Sequence, residues 1–262
     1  MIKHTHTEKT HKLGIVLSGG GARGFAHIGV LKALNENGIF PDVISSTSAG
    51  SIVGVLYADG YTPDEIFDIF SKLDIYKILS FYKPAFGLLK ADGLQRTLQK
   101  QLRAQNFEDL KLPLHICATN FTKARVHYFN TGELMPAVMA SCAIPMVLKP
   151  MLIDGDFYVD GGLMNNLPVD PIQLICEDII GVNVNPVSEA KQFTSIRNYA
   201  DRIMHLAVRA NVQPNISKCD IYIEPPGLMD FHLFKVSSAQ QIFQTGYEHT
   251  QSIIHQIKDD LF

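Results

Sequence analysis

The chain has 262 residues, enough for one large α/β domain or two small ones. Apolar residues make up 46%, which is ordinary for a globular protein with a full core, and the formal net charge is −3. That charge argues against nucleic acid as a main partner, because phosphate binding needs a basic face.

The opening MIKHTHTEKTHK has no apolar stretch of the kind a signal peptide needs, and no apolar run in the chain reaches the ~20 residues that cross a bilayer. A cytoplasmic protein is expected. Residues 1–11 read as a flexible polar tail, and His4, His6 and His11 as tail residues rather than a metal site. LGIVLS, Leu13 to Ser18, is a short apolar run closed by glycines and reads as a buried strand. A helix should follow, with Ala26, Val30, Ala33 and Leu34 on one face and Gly38 as its stop. DVISST is the next strand, and SAGSIVGVLYADG a helix buried on nearly all sides. TPDEIFDIFSKL carries a capping box, with Thr62 as N-cap, Pro63 in the first turn and Glu65 three residues after the cap.

Farther on, LPLHICATNF and ARVHYFN read as adjacent strands, and GELMPAVMASCA as a helix with Pro136 in its first turn. MLIDGDFYVDGG predicts a hairpin turning at Gly155. DIIGVNVNP and CDIYIEPP are β-rich, with helical patterns between and after them. Strands alternating with helices predict an α/β fold with a mostly parallel central sheet and helices on both faces, in a single domain over residues 12–262. Cys117, Cys142, Cys176 and Cys219 form no C-x-x-C pair and sit in apolar contexts, so four buried reduced thiols are expected.

Two loops carry candidate chemistry. In SGGGARG, Gly19, Gly21 and Gly24 satisfy the G-x-G-x-x-G spacing of a dinucleotide site. That site also needs an acid at the far end of the second strand, and the one candidate, Asp42, stands at the near end. Four glycines in six residues exceed what a plain turn requires. Amide groups at a helix N-terminus suit a phosphate or an oxyanion. The second loop, ISSTSAGSIVG, places Ser48 between a strand and a helix, as a nucleophile elbow does, but Ser46 stands where G-x-S-x-G has its first glycine. Gly50 meets the pattern on the other side.

A nucleophilic serine needs a base. His205, His232, His249 and His255 come late in the chain, but none lies in a glycine-marked loop. In VDGGLMNNLPV, Asp160 ends an apolar strand and is followed by Gly161 and Gly162. GGGARG, the turn around Ser48, ASCAIP and DGGLMNNLP, in this order, resemble the patatin-like phospholipase family, and GFAHIGVLKAL resembles its bacterial and neuropathy target esterase-type members.

The resemblance implies a three-layer patatin-like fold and a Ser-Asp dyad without histidine. Ser48 would be the nucleophile and Asp160 the base, with Ser46 and Gly50 flanking the nucleophile in the elbow. Backbone amides of Gly19, Gly20, Gly21, Arg23 and Gly24 would form the oxyanion hole, and the Arg23 side chain would hold the loop or meet a phosphate head group. Asp154 also precedes a glycine but lacks the rest of the motif. The implied activity is hydrolysis of carboxylic esters of phospholipids, lysophospholipids or related lipids, releasing fatty acid. A carboxylesterase or thioesterase acting on other acyl groups stays open, and so does a weakly active lipid-binding protein on the same fold, which Ser46 keeps in play. No cofactor or metal is expected, since no clustered carboxylate loop resembles a calcium site. Ile75 to Lys90 mixes aromatics with lysines and no acid, which suits either a lid in transient contact with a membrane or an amphipathic cover on the core.

Overall fold

A computed structural model describes residues 9–71, 91–187, 196–231 and 236–261. Strands β1 (His11–Leu17), β2 (Val43–Thr47), β3 (Leu114–Asn120), β7 (Cys176–Val182) and β8 (Ile221–Ile223) lie parallel in the spatial order β3-β2-β1-β7-β8. β4 (Arg125–Phe129) and β6 (Asp156–Asp160) pair antiparallel with β3, and β5 (Met151–Ile153) pairs antiparallel with β6. The sheet is therefore mixed, a parallel core with an antiparallel arm. The expected tail runs too far: Thr10 and His11 both donate to the Ile175 carbonyl, and His11 already pairs with Cys176 in β1.

Alternation along β1 separates two faces. Ile15 and Leu17 join the large core with α1 (Phe25–Glu36), α2 (Ala49–Ala58) and α3 (Pro63–Ser71). Val16 points the other way, against Leu167, Val169, Ile172 and Val212 of α6 (Ile196–Ile216). Helices on both faces make the three-layer fold that the strand–helix alternation predicts. α4 (Asp92–Gln101), α5 (Leu134–Ser141), α7 (Ala239–Ser252) and α8 (Ile254–Leu261) add to the first layer through Leu98, Val138, Ile242 and Ile257. The capping box of α3 is formed: Thr62 N donates to Glu65 Oε2 at 2.8 Å, and Glu65 N donates to Thr62 Oγ1 at 3.3 Å.

α1 is buried beyond the expected face. Phe25, Ile28 and Leu31 are as enclosed as Ala26 and Val30, because α7 covers the outer side. The two helices approach through paired glycines. A Cβ on Gly29 would lie 2.1 Å from the Phe243 carbonyl oxygen, and one on Gly246 would lie 2.3 Å from that of Ala26.

The topology of β3 sets up the site. Cys117 pairs with Tyr128 of β4 and Thr47 of β2, while Ala118 pairs with His127 of β4 and Asp160 of β6. A strand residue has two edges, and β4 fills one of them from Ile116 to Asn120, across the point where β2 gives way to β6. β2 and β6 therefore share the other edge and meet end to end between Cys117 and Ala118. The last residues of these two strands, running in opposite directions, face each other. The hairpin feeding β6 turns at Asp154 and Gly155, with φ of 50° and 83°, as a two-residue turn requires.

The helix contact gives a first test. Gly246→Ala should destabilise the protein by about 1–3 kcal/mol, the usual cost of overpacking a close contact, read from urea midpoints at unchanged m-value.

Candidate active site

Ser48 stands at the junction of β2 and α2 with φ 53° and ψ −121°, a conformation that residues with side chains rarely adopt. The surroundings enforce it. A Cβ on Gly50 would lie 2.4 Å from the Leu17 carbonyl oxygen and 2.6 Å from that of Ser18, so α2 begins hard against the end of β1. Ser48 Oγ donates to Asp160 Oδ2 at 2.5 Å, and the Gly162 amide donates to Asp160 Oδ1 at 2.8 Å. Asp160 is 7% exposed. Burial pushes its carboxyl up from the ordinary 3.8 to about 6, against the pull of the bonds from Ser48 and Gly162.

Ser46 does not crowd Ser48. Its hydroxyl turns toward Ser51 Oγ at 3.2 Å and the His115 carbonyl at 3.3 Å, and Gly54 leaves room for it. The extra hydroxymethyl group of Ser46 is absorbed between β2 and α2.

The glycine loop packs onto the elbow: a Cβ on Gly19 would lie 3.1 Å from Ser48 Cβ, and one on Gly24 2.9 Å from Ala49 Cβ. His27 and two asparagines tether the start of the loop. His27 Nε2 donates to the Ser18 carbonyl at 2.8 Å, while Asn185 Nδ2 reaches the Gly19 carbonyl at 2.5 Å and Asn166 Nδ2 at 3.5 Å. Burial holds His27 down at about 4, so it is neutral and its Nε2 carries the proton. Not every amide of the loop is free. Gly19 N donates to the Asn166 carbonyl, Arg23 N to that of Gly20, and Gly24 closes the 3-10 turn Gly21–Gly24. Among the described residues, nothing accepts from Gly20 N or Gly21 N. The Arg23 side chain is buried and its Nε donates to the Phe231 carbonyl at 2.9 Å, so it ties the loop to the segment after β8.

The other candidates lie elsewhere. Asp42 Oδ2 accepts from Lys12 N and Leu13 N at the N-terminal edge of the sheet, opposite a dinucleotide site. Asp154 occupies the hairpin turn. His205 lies on α6, His249 on α7 and His255 on α8, and no histidine among the described residues bonds to Ser48 or Asp160. His232 and Ile75 to Lys90 fall outside the described residues. Cys117, Cys142 and Cys176 are buried free thiols, but Cys219 is half-buried.

Several supports carry no sequence signal. Asn211 Oδ1 accepts from Asn166 N at 2.9 Å and its Nδ2 donates to the Gly162 carbonyl at 3.0 Å. Asn215 Nδ2 donates to Asn165 Oδ1 and the Leu167 carbonyl, both at 3.0 Å. These two residues of α6 pin DGGLMNNLP from behind.

A strained serine at the carboxyl end of a parallel strand, facing a buried aspartate across from a glycine loop, defines a class: a three-layer α/β protein with a nucleophile-elbow turn. A family model described as patatin-like phospholipase matches residues 15–172, and the chain belongs to that family. It is 27% identical to lysophospholipase nte1 of Aspergillus fumigatus over 95% of its length, and 27% identical to lysophospholipase NTE1 of Kluyveromyces lactis over 94%. The chain spans 18% and 19% of those two proteins. VipD of Legionella pneumophila shares the fold at TM-score 0.65 and 16% identity, covering 94% of this chain and 67% of that one.

The raised Asp160 carboxyl predicts a stability effect of definite sign. Because the folded value lies above the unfolded one, the folded protein binds more protons between about pH 4 and 6, so this group's contribution falls as pH rises through that window. Asp160→Asn should therefore gain on the wild type as pH rises from 4 to 8, by up to about 3 kcal/mol, in paired urea titrations.

Proposed function

We propose that the protein is a serine acyl hydrolase that cleaves carboxylic esters of lysophospholipids, phospholipids or related lipids with Ser48 and Asp160. The observation that carries the reading is the 2.5 Å hydrogen bond from Ser48 Oγ to Asp160 Oδ2. A carboxylate at about 6 is ionised at neutral pH yet basic enough to take the serine proton. Ser48 Oγ attacks the acyl carbon while its proton passes to Asp160. The oxyanion that forms is received by the Gly20 and Gly21 amides. Collapse breaks the ester C–O bond, and Asp160 returns the proton to the departing alcohol oxygen. Water then attacks the acyl-serine, gives a proton to Asp160 and releases the fatty acid, and Asp160 returns that proton to Ser48.

The lipid class is supported by family membership and by the names of the relatives. Ser46 is no obstacle, since its hydroxyl bonds away from the nucleophile. No helix among the described residues is long and apolar enough to cross a membrane. Substrate is proposed to be met at a lipid surface by transient contact.

A fluorophosphonate probe should label the wild type and not Ser48→Ala, while the wild type releases fatty acid from lysophosphatidylcholine. Absence of labelling in the folded wild type removes the nucleophile. Asp160→Asn should lower kcat/KM by at least about 100-fold, as loss of a general base does, whereas His205→Ala and His249→Ala stay within about threefold. In the wild type, log kcat/KM should rise with pH and level off above about 6.

A further inference from the structure

Three consecutive residues at the carboxyl end of α5 each touch the main chain of the Ser48–Asp160 pair. Ser141 Oγ accepts the Ser48 N–H at 2.8 Å. Cys142 Sγ lies 3.4 Å from the Ser48 carbonyl oxygen, within donating reach. The Ala143 carbonyl accepts the Asp160 N–H at 2.9 Å. We infer that Ser141–Cys142–Ala143 is a positioning device that sets the spacing of nucleophile and base, with Ser141 as its decisive member. The inference rests on the reading of Ser48 as nucleophile and deepens it, assigning a task to the ASCAIP segment.

The hydroxyl network gives Ser141 a single arrangement. Its proton goes to the Cys117 carbonyl at 2.7 Å, because a carbonyl can only accept. Its oxygen therefore accepts from the Ser48 amide and from Ser51 Oγ at 3.0 Å. Ser51 is met in turn by Ser46 Oγ at 3.2 Å. Ser46, Ser51 and Ser141 are fully buried, so no water can substitute for a missing partner without displacing packed atoms. Cys117 is also the β3 residue at which the edge passes from β2 to β6. One hydroxyl thus links the amide of the strained serine to the strand that aligns both dyad residues.

The other two contacts close the arrangement. Burial and the charge of Asp160 hold the Cys142 thiol well above its usual range, so it keeps the proton it offers to the Ser48 carbonyl. The Ala143 contact ties the last residue of β6 to the same helix end. Without the Ser141 oxygen, the Ser48 N–H is buried and unpaired, and relief of its φ of 53° swings Oγ away from Asp160.

The test uses the full chain with a fluorophosphonate probe and a short-chain nitrophenyl ester. Folded Ser141→Ala should show inactivation and kcat reduced at least about tenfold with KM within about twofold, as misplacement of a reacting group does. The acid limb of its pH profile should move upward, because the Ser48 bond is one of the forces holding the Asp160 carboxyl down. Ser141→Thr, which keeps the hydroxyl, should recover most of the rate. A purely structural role predicts a lower melting temperature with unchanged kcat and acid limb well below it, and that result overturns the inference. If Ser141→Ala does not fold, Ser51→Ala decides. It removes the hydroxyl donor to Ser141 without touching the Ser48 or Asp160 backbone, and should shift the same limb in the same direction; no shift overturns the inference. A wild type that the probe fails to label removes the nucleophile reading itself. Equal labelling of wild type and Ser141→Ala removes only the positioning role.

Discussion

β2 and β6 meet end to end on one edge of β3, and the rest of the site follows from that junction. One strand runs parallel to β3 and the other antiparallel, so both deliver their final residues to the same point. A side chain leaving each end then lies within hydrogen-bond reach of the other, which is how Ser48 Oγ and Asp160 Oδ2 come to be 2.5 Å apart. Two carboxyl ends of ordinary parallel neighbours would sit a strand spacing apart, with side chains pointing along the sheet edge rather than at each other.

Holding the junction closed takes contacts from every layer. The Gly50 approach to Leu17 and Ser18 presses α2 onto β1. Asn211 and Asn215 of α6 grip the turn after Asp160 from the opposite face of the sheet. The end of α5 reaches the main chain of both residues. Such a site stores unfavourable energy in two forms: a serine in a sparsely populated conformation and a carboxylate taken out of water. Both are tolerated because the packing around them leaves no relaxed alternative.

Much of this was legible in the residues. The strand–helix alternation, the capping box at Thr62, the hairpin at Asp154 and Gly155 and the helix that carries Pro136 in its first turn all rest on local rules of backbone conformation, and they appear where those rules put them. The extent of α1 burial was not legible, because it depends on α7, which lies more than 200 residues away in the chain. Nor was the state of the loop amides. GGGARG announces flexible backbone near a helix start, but only the folded chain brings the Asn166 carbonyl to Gly19 N and leaves Gly20 and Gly21 without a described partner.

By itself, then, the sequence determined the element types, the family motifs and the identity of the two residues proposed to do the chemistry, since each of these is written in short stretches of neighbouring residues. The tertiary structure alone decided that Ser46 turns its hydroxyl away, that Arg23 spends its Nε on Phe231, and that Ser141 holds the Ser48 amide. Those outcomes depend on which carbonyl or hydroxyl arrives from a distant segment. A buried polar group takes whatever partner the packing supplies, and no local pattern records that choice.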